Sequence, residues 1–313
     1  MRSYLFADRA VATGAGAGPE ALADEAVPPA GVARSPRASA LRRFRRHRLG
    51  LLGAAVLVFL AVACAIGNSI LGLDPNAVDI GAFRQPPSSA HWLGTDDTGR
   101  DVLARVLEGG RISLTIGIAA AVSATTIGFV VGVLAGYRGG LADGVAMRVV
   151  DAFLSFPTLV VILVLTAFLG PSVSTIIFVI ALCQWPYACR IVRTTAASLR
   201  ERDYVRASRA LGGSALWITL RHIAPGVLGP LTVVVTLLAA DAILAEAALS
   251  FLGLGVSPPQ ASWGGMLTDA QSLVVIKNQP WLWLPAGIAI AATVLSINFV
   301  GDALRDAFDT RLS

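Results

Sequence analysis

The sequence predicts an all-α membrane protein with six transmembrane helices, and three observations carry that prediction. Hydrophobic residues make up 55% of the 313-residue chain and charged residues only 14%, against about 25% charged in soluble domains. The mean hydropathy is +0.69, an apolar surplus too large for one water-soluble core. The charged side chains also leave long apolar gaps at 49–73, 112–137, 152–189, 222–240 and 278–301. These features exclude a soluble enzyme. The three cysteines (Cys64, Cys183 and Cys189) are an odd number and lie in apolar runs, which excludes a small disulfide scaffold.

The elements follow in order. Residues 10–40 are rich in Ala, Gly and Pro with little bulky apolar content, so residues 1–48 are expected to be a disordered tail. Its end, Leu41-Arg42-Arg43-Phe44-Arg45-Arg46-His47-Arg48, adjoins a span. The cluster therefore reads as a topology anchor and anionic-lipid contact rather than a nucleic-acid patch. Residues 49–72 form the first span, too long and too far into the chain for a signal-peptide core. The loop 73–111 contains Val102, Leu103, Val106 and Leu107 on one face, followed by Gly109-Gly110. That pattern predicts a short amphipathic helix lying in the interface. Asp96, Asp97 and Asp101 in the same loop lack the spacing of a calcium loop.

Residues 112–301 are expected to hold the other five spans. The gap at 152–189 would be about 57 Å long as one helix, nearly twice the hydrocarbon core. Gly170-Pro171-Ser172 near its middle is turn chemistry, which divides it into spans at 149–169 and 173–192. The fifth span runs from Ile223 past Asp241 and Glu246 to Leu252, and Trp281 and Trp283 flank the sixth as interfacial anchors. Residues 302–313 form the C-terminal tail. Each helix satisfies its own peptide groups in lipid. Of the 25 basic residues all but Lys277 are arginine. With the N-terminus in the cytoplasm only Arg84, Arg100, Arg105, Arg111 and Lys277 lie outside, so both termini are expected to be cytoplasmic.

Catalytic signatures are missing from the sequence. A P-loop requires Lys followed by Ser or Thr, and Lys277 precedes Asn278. His47, His91 and His222 are too dispersed for a zinc helix, and Gly212-Gly213-Ser214-Ala215-Leu216 is not a nucleophile elbow. No cofactor, metal or nucleic acid is expected on this chain.

The loop 195–222 is the most informative segment. Tyr204, Ser208 and Leu211 share one helical face, Gly212-Gly213 stops that helix, and a second short helix leads to Pro225 at the start of the fifth span. A helix-turn-helix held between two spans is a rigid protrusion suited to docking; the plainer reading is a solvated basic connection. The segment Tyr204-Val205-Arg206-Ala207-Ser208-Arg209-Ala210-Leu211-Gly212 resembles the "EAA" motif by which permeases of bacterial ABC importers engage their ATPases. Three further stretches narrow the resemblance: His91-Trp92-Leu93-Gly94-Thr95-Asp96-Asp97-Thr98-Gly99-Arg100-Asp101, Glu246-Ala247-Ala248-Leu249-Ser250-Phe251-Leu252-Gly253-Leu254-Gly255, and Gly301-Asp302-Ala303-Leu304-Arg305-Asp306. Over about residues 41–311 the chain is similar to the C-type permeases of the dipeptide, oligopeptide and nickel importer family.

That resemblance implies a type I importer permease fold and transport by alternating access. The implied partners are a homologous B-type permease, two cytoplasmic ABC ATPase subunits or domains that carry ATP and Mg, an extracytoplasmic binding protein, and membrane lipid. Nickel complexes are the alternative cargo, and a secondary transporter or a membrane-embedded enzyme or sensor are alternative classes. The chain departs from the family at Arg206-Ala207-Ser208, where Glu-Ala-Ala is usual, and at Ala224-Pro225-Gly226 and Asp309-Thr310-Arg311.

Three further features await the structure. Gly128, Gly132 and Gly136 form a small-residue row in the second span, for packing within the chain or against the partner. Asp241 and Glu246 are the acids inside a span, each costing roughly 2.5–3.5 kcal/mol in hydrocarbon, and are candidates to line the pathway. For Asp241, contact with a substrate amino group and a helix–helix hydrogen bond both stay open. For Glu246, packing or gating is favoured.

Overall fold

The computed structural model describes residues 44, 45 and 47–308. The tail 1–43, Arg46 and Asp309-Thr310-Arg311 lie outside the described residues. Among those described, α1 (Arg48–Leu71), α2 (Val102–Arg138), α5 (Val173–Arg200), α8 (Ala224–Phe251) and α11 (Leu284–Phe308) are the long apolar helices. A bent pair, α3 (Gly140–Leu154) and α4 (Thr158–Leu169), brings the number of candidate spans from five to six when the pair is taken as one crossing. Short helices α9 (Trp263–Met266) and α10 (Leu273–Asn278) lie between α8 and α11, and there is no strand among the described residues, only an isolated bridge between Thr95 and Asp101.

Helix α1 starts where the His47 side chain accepts a hydrogen bond from Gly50 N at 3.0 Å, and ends at Gly72 in the left-handed conformation (φ 64°). It sits at the periphery against α2 and α11. The central pair is α2 and α5. Their approach is set by the glycine row. A Cβ on Gly128 would lie 2.6 Å from Ala188 Cβ, and one on Gly132 2.7 Å from the Cys189 carbonyl oxygen. On Gly136 it would meet Ala196 Cβ at 2.8 Å. The row packs within the chain, where dispersion between close backbones replaces the hydrophobic force that lipid removes.

Two expectations are corrected. The amphipathic helix at 102–107 is not a separate interfacial element: α2 begins at Val102 and runs unbroken through Gly109-Gly110. Val102 is buried, Leu107 nearly so, and a Cβ on Gly110 would meet the Trp263 ring at 2.6 Å. Glycine costs about 1 kcal/mol in a helix, but here it admits an indole, and packing outweighs propensity. The span at 149–169 is also broken. Helices α3 and α4 meet at 83° across Ser155-Phe156-Pro157. Pro157 has no N–H to continue the ladder and biases Phe156 away from helix. Arg193 pairs with Asp143, and Arg190 with Asp151, tying α3 to α5.

The expected turn at Gly170-Pro171-Ser172 separates α4 from α5, with Gly170 at φ 87° and Ser172 capping α5 through Thr175 N. Trp281 and Trp283 are half-buried against a core cluster of Trp263, Leu282 and Ala286 rather than fully at an interface. Aspartates brace the loop before α2. Asp96 accepts from Thr98 N and Arg100 N, both at 2.9 Å, and Asp101 caps α2 through Ala104 N and bonds His91 Nδ1 at 2.8 Å. Burial opposes the Asp96 charge, yet the Arg100 and Thr98 donors hold its carboxyl below the ordinary value.

Candidate docking surface and span carboxylates

The loop between α5 and α8 folds as the sequence anticipates, with one difference. Helix α6 (Asp203–Ala210) has Asp203 in its first turn and Arg209 in its last, the charge order the helix dipole favours. Leu211 caps it and Gly212 turns the chain at φ 83°. Ser214 then starts α7 (Ala215–Ile218) by accepting from Trp217 N at 3.3 Å. The difference is that α7 does not end before the span. It continues through a π-helical turn at Thr219–Ile223 straight into α8. The widened turn lies directly ahead of Pro225, whose ring would otherwise collide with the Arg221 carbonyl.

Two side chains anchor this protrusion. Val205 of α6 and Ile218 of α7 are fully buried, in one cluster with Val133, Val192, Ala196, Ile223 and Val227 from the spans. The rest of the predicted segment, Tyr204, Arg206, Ala207, Arg209, Ala210, Leu211 and Gly212, is exposed, and Ser208 is half-buried. Aromatic edges stiffen it: His222 sits 5.0 Å from Trp217 and 5.7 Å from Tyr204, and Arg209 lies over the Tyr137 ring. Leu211 is 90% exposed, and Leu216, Trp217 and Leu220 are also open. Leu216, Trp217 and Leu220 escaped the sequence reading, although apolar residues inside an otherwise charged loop were a usable signal.

Arg206, the departure from the usual acid, has a partner within the chain. Its guanidinium meets Glu201 Oε2 at 2.7 Å, and Arg200 Nε meets Oε1 of the same carboxylate at 3.0 Å. Arg206 and then Arg200 hold the Glu201 carboxyl below its ordinary range.

The two carboxylates of α8 separate completely. Glu246 is fully buried, accepting from Ser113 Oγ of α2 at 2.9 Å and from Ser250 Oγ at 2.7 Å. Trp263 N donates to Ser113 Oγ in turn, and Trp263 Nε1 donates to the Val106 carbonyl. Glu246 therefore braces α2, α8 and the 262–264 segment, and in this conformation it is sealed from solvent. Ser113, Ser250 and Trp263 were missed because their partners lie up to 150 residues away. Asp241, by contrast, is exposed and takes part in no ion pair among the described residues.

Residues 128–313 match the family described as binding-protein-dependent transport system inner membrane component. The chain belongs to that family. Residues 35–87 further match the N-terminal transmembrane domain of oligopeptide transport permease C. A putative peptide permease protein of Brucella suis is 44% identical over 276 residues, covering 88% of this chain and 91% of the relative. A putative peptide transport system permease protein of Brucella abortus is 41% identical, covering 90% and 94%. The oligopeptide transport system permease protein OppC of Bacillus subtilis is 38% identical, covering 87% and 89%. The chain is thus a multi-pass inner-membrane permease, a transport component rather than an enzyme, and such a permease works within a complex that has other subunits.

Proposed function

We propose that this permease imports dipeptides or oligopeptides by alternating access, driven by ATP hydrolysed on separate ABC ATPase subunits. The names of its relatives favour peptides over nickel complexes. Its own residues offer no P-loop, so ATP and Mg reside on the ATPases, and this chain holds no cofactor. Its partners are a homologous B-type permease, two ATPases and an extracytoplasmic binding protein. The arginine distribution supports cytoplasmic termini.

One observation carries the reading: an apolar knob of Leu211, Leu216, Trp217 and Leu220 projects from helices anchored through Val205 and Ile218 into the spans. An ATPase gripping the knob moves α5 and α8 with it, because the anchors and the continuous helix from Ala215 to Phe251 leave no slack. The alternative of a secondary transporter gives this knob no work. In proteoliposomes holding the assembled complex and binding protein, tri-alanine uptake should require ATP and stop when residues 201–221 are deleted. Uptake by the permease alone on a proton or sodium gradient would overturn the proposal.

A further inference from the structure

Helix α8 presents three faces, and Asp241 lies on the one that no other helix among the described residues covers. Ala242, Glu246 and Leu249 point into the buried clusters, with Leu238 beside them. Val235, Ala239 and Ile243 line an apolar groove shared with α1, α2 and α11. Leu237, Asp241, Leu244 and Phe251 remain exposed along a third stripe, spaced four, three and seven residues apart. That spacing is one helical face.

Depth strengthens the point. Asp241 lies ten residues before the end of α8 at Phe251, about 15 Å along the axis and so near the middle of a hydrocarbon core about 30 Å thick. A carboxylate facing acyl chains there is costly, and such groups face water or a bundle interior. Its neighbours on the stripe are all apolar, and the chain offers it no cation among the described residues. The stripe is therefore an apolar wall interrupted by one carboxyl group.

We infer that Asp241 is a cation subsite of the translocation pathway, which receives the α-ammonium group of a passing peptide. This rests on the peptide reading above. The ammonium supplies three donors and a full charge, while apolar side chains slide along Leu237, Leu244 and Phe251. A single carboxylate in a hydrated path gives a weak, releasable contact, as transit requires. Asp241 in this role selects cargo with a free amino terminus.

The test uses the complete complex with its binding protein in proteoliposomes, given tri-alanine or N-acetyl-tri-alanine. Asp241→Asn should lower tri-alanine uptake about fivefold, the scale of one solvent-accessible ion pair, and leave the acetylated peptide unchanged. Asp241→Glu should restore most of the loss. Where the acetylated peptide is not carried, the wild-type advantage over Asp241→Asn should shrink from pH 7 to pH 9, as the α-amine loses its proton near pH 8. An advantage that persists across this range would overturn the inference, as would equal effects on both peptides or no effect on either. Poor assembly of Asp241→Asn with the partner permease would instead make Asp241 an intersubunit contact and equally overturn it. Absence of any tri-alanine uptake by the wild-type complex, with ATPase activity intact, would instead remove the peptide reading itself.

Discussion

The two ends of α8 are built on opposite plans. At one end the chain enters through α7 and a π-helical turn, and the neighbouring loop is fastened by two buried aliphatic side chains while its apolar knob stays uncovered. At the other end Glu246, Ser113, Ser250 and Trp263 join three segments through directional hydrogen bonds. Aliphatic anchors hold position without fixing a partner, so the first end suits a handle. Buried hydrogen bonds specify one arrangement and penalise any other, so the second suits a frame against which the handle works.

The sharpest way to break that contrast is to charge the handle's anchor. Val205→Asp would bury a carboxylate among aliphatic side chains, at several kcal/mol. ATP-driven uptake should vanish and ATPase co-purification fail as α6 undocks rather than bury the charge, while the spans still insert. Retained ATPase recovery would end the anchor argument. Next in size, Glu246→Ala orphans two buried hydroxyls at about 1–3 kcal/mol each. It should lower the thermal midpoint of the detergent-solubilised chain, with Glu246→Gln recovering part of the loss. An unchanged midpoint would mean the frame is held elsewhere.

Gly128→Leu probes the shared axis of both ends. Its side chain must displace Ala188 and the Trp185 carbonyl, an overpacking cost of about 1–3 kcal/mol or more. Folding yield should fall, and normal yield with normal stability would show that α2 and α5 have room to part.

A smaller effect is expected beside the frame. Burial first, then the charges of Asp97 and Asp96, push the Asp269 carboxyl up to about 6, against Arg84 and Arg105, which pull it down. The folded chain thus holds this proton where the unfolded chain, near 3.8, releases it. The stabilisation is complete below about pH 4 and is lost as pH rises through 6. Asp269→Asn should remove that part of the slope in thermal midpoint against pH, and an identical slope in the variant would refute the assignment. Smallest of all is Arg206→Glu on the exposed face of α6. It places like charge beside Glu201 and should weaken ATPase recovery and uptake by roughly a few-fold, since exposed pairs contribute little. Unchanged recovery and uptake would leave docking entirely to the apolar side chains.

Much of this was legible before any coordinates. The gaps between charges located the five long apolar helices, and Gly170 and Gly212 marked turns that both take positive φ. The loop between α5 and α8 stood out because charged residues and a double glycine are anomalous between two apolar runs. What failed were readings that assumed a residue acts by its own propensity. Gly109-Gly110 looked like a stop signal and serves as a seat for Trp263; Pro157 lay unnoticed inside an apolar run and bends a span by 83°.

Sequence by itself determined the membrane class, the order of the spans and the position of the loop that projects from them, because transfer into lipid depends on each segment's own side chains. Only the tertiary structure decided the fates of Asp241 and Glu246, five residues apart on one helix. A helix turns those positions to different faces, and what each carboxylate does depends on what stands opposite: for Glu246 two serine hydroxyls, for Asp241 nothing among the described residues.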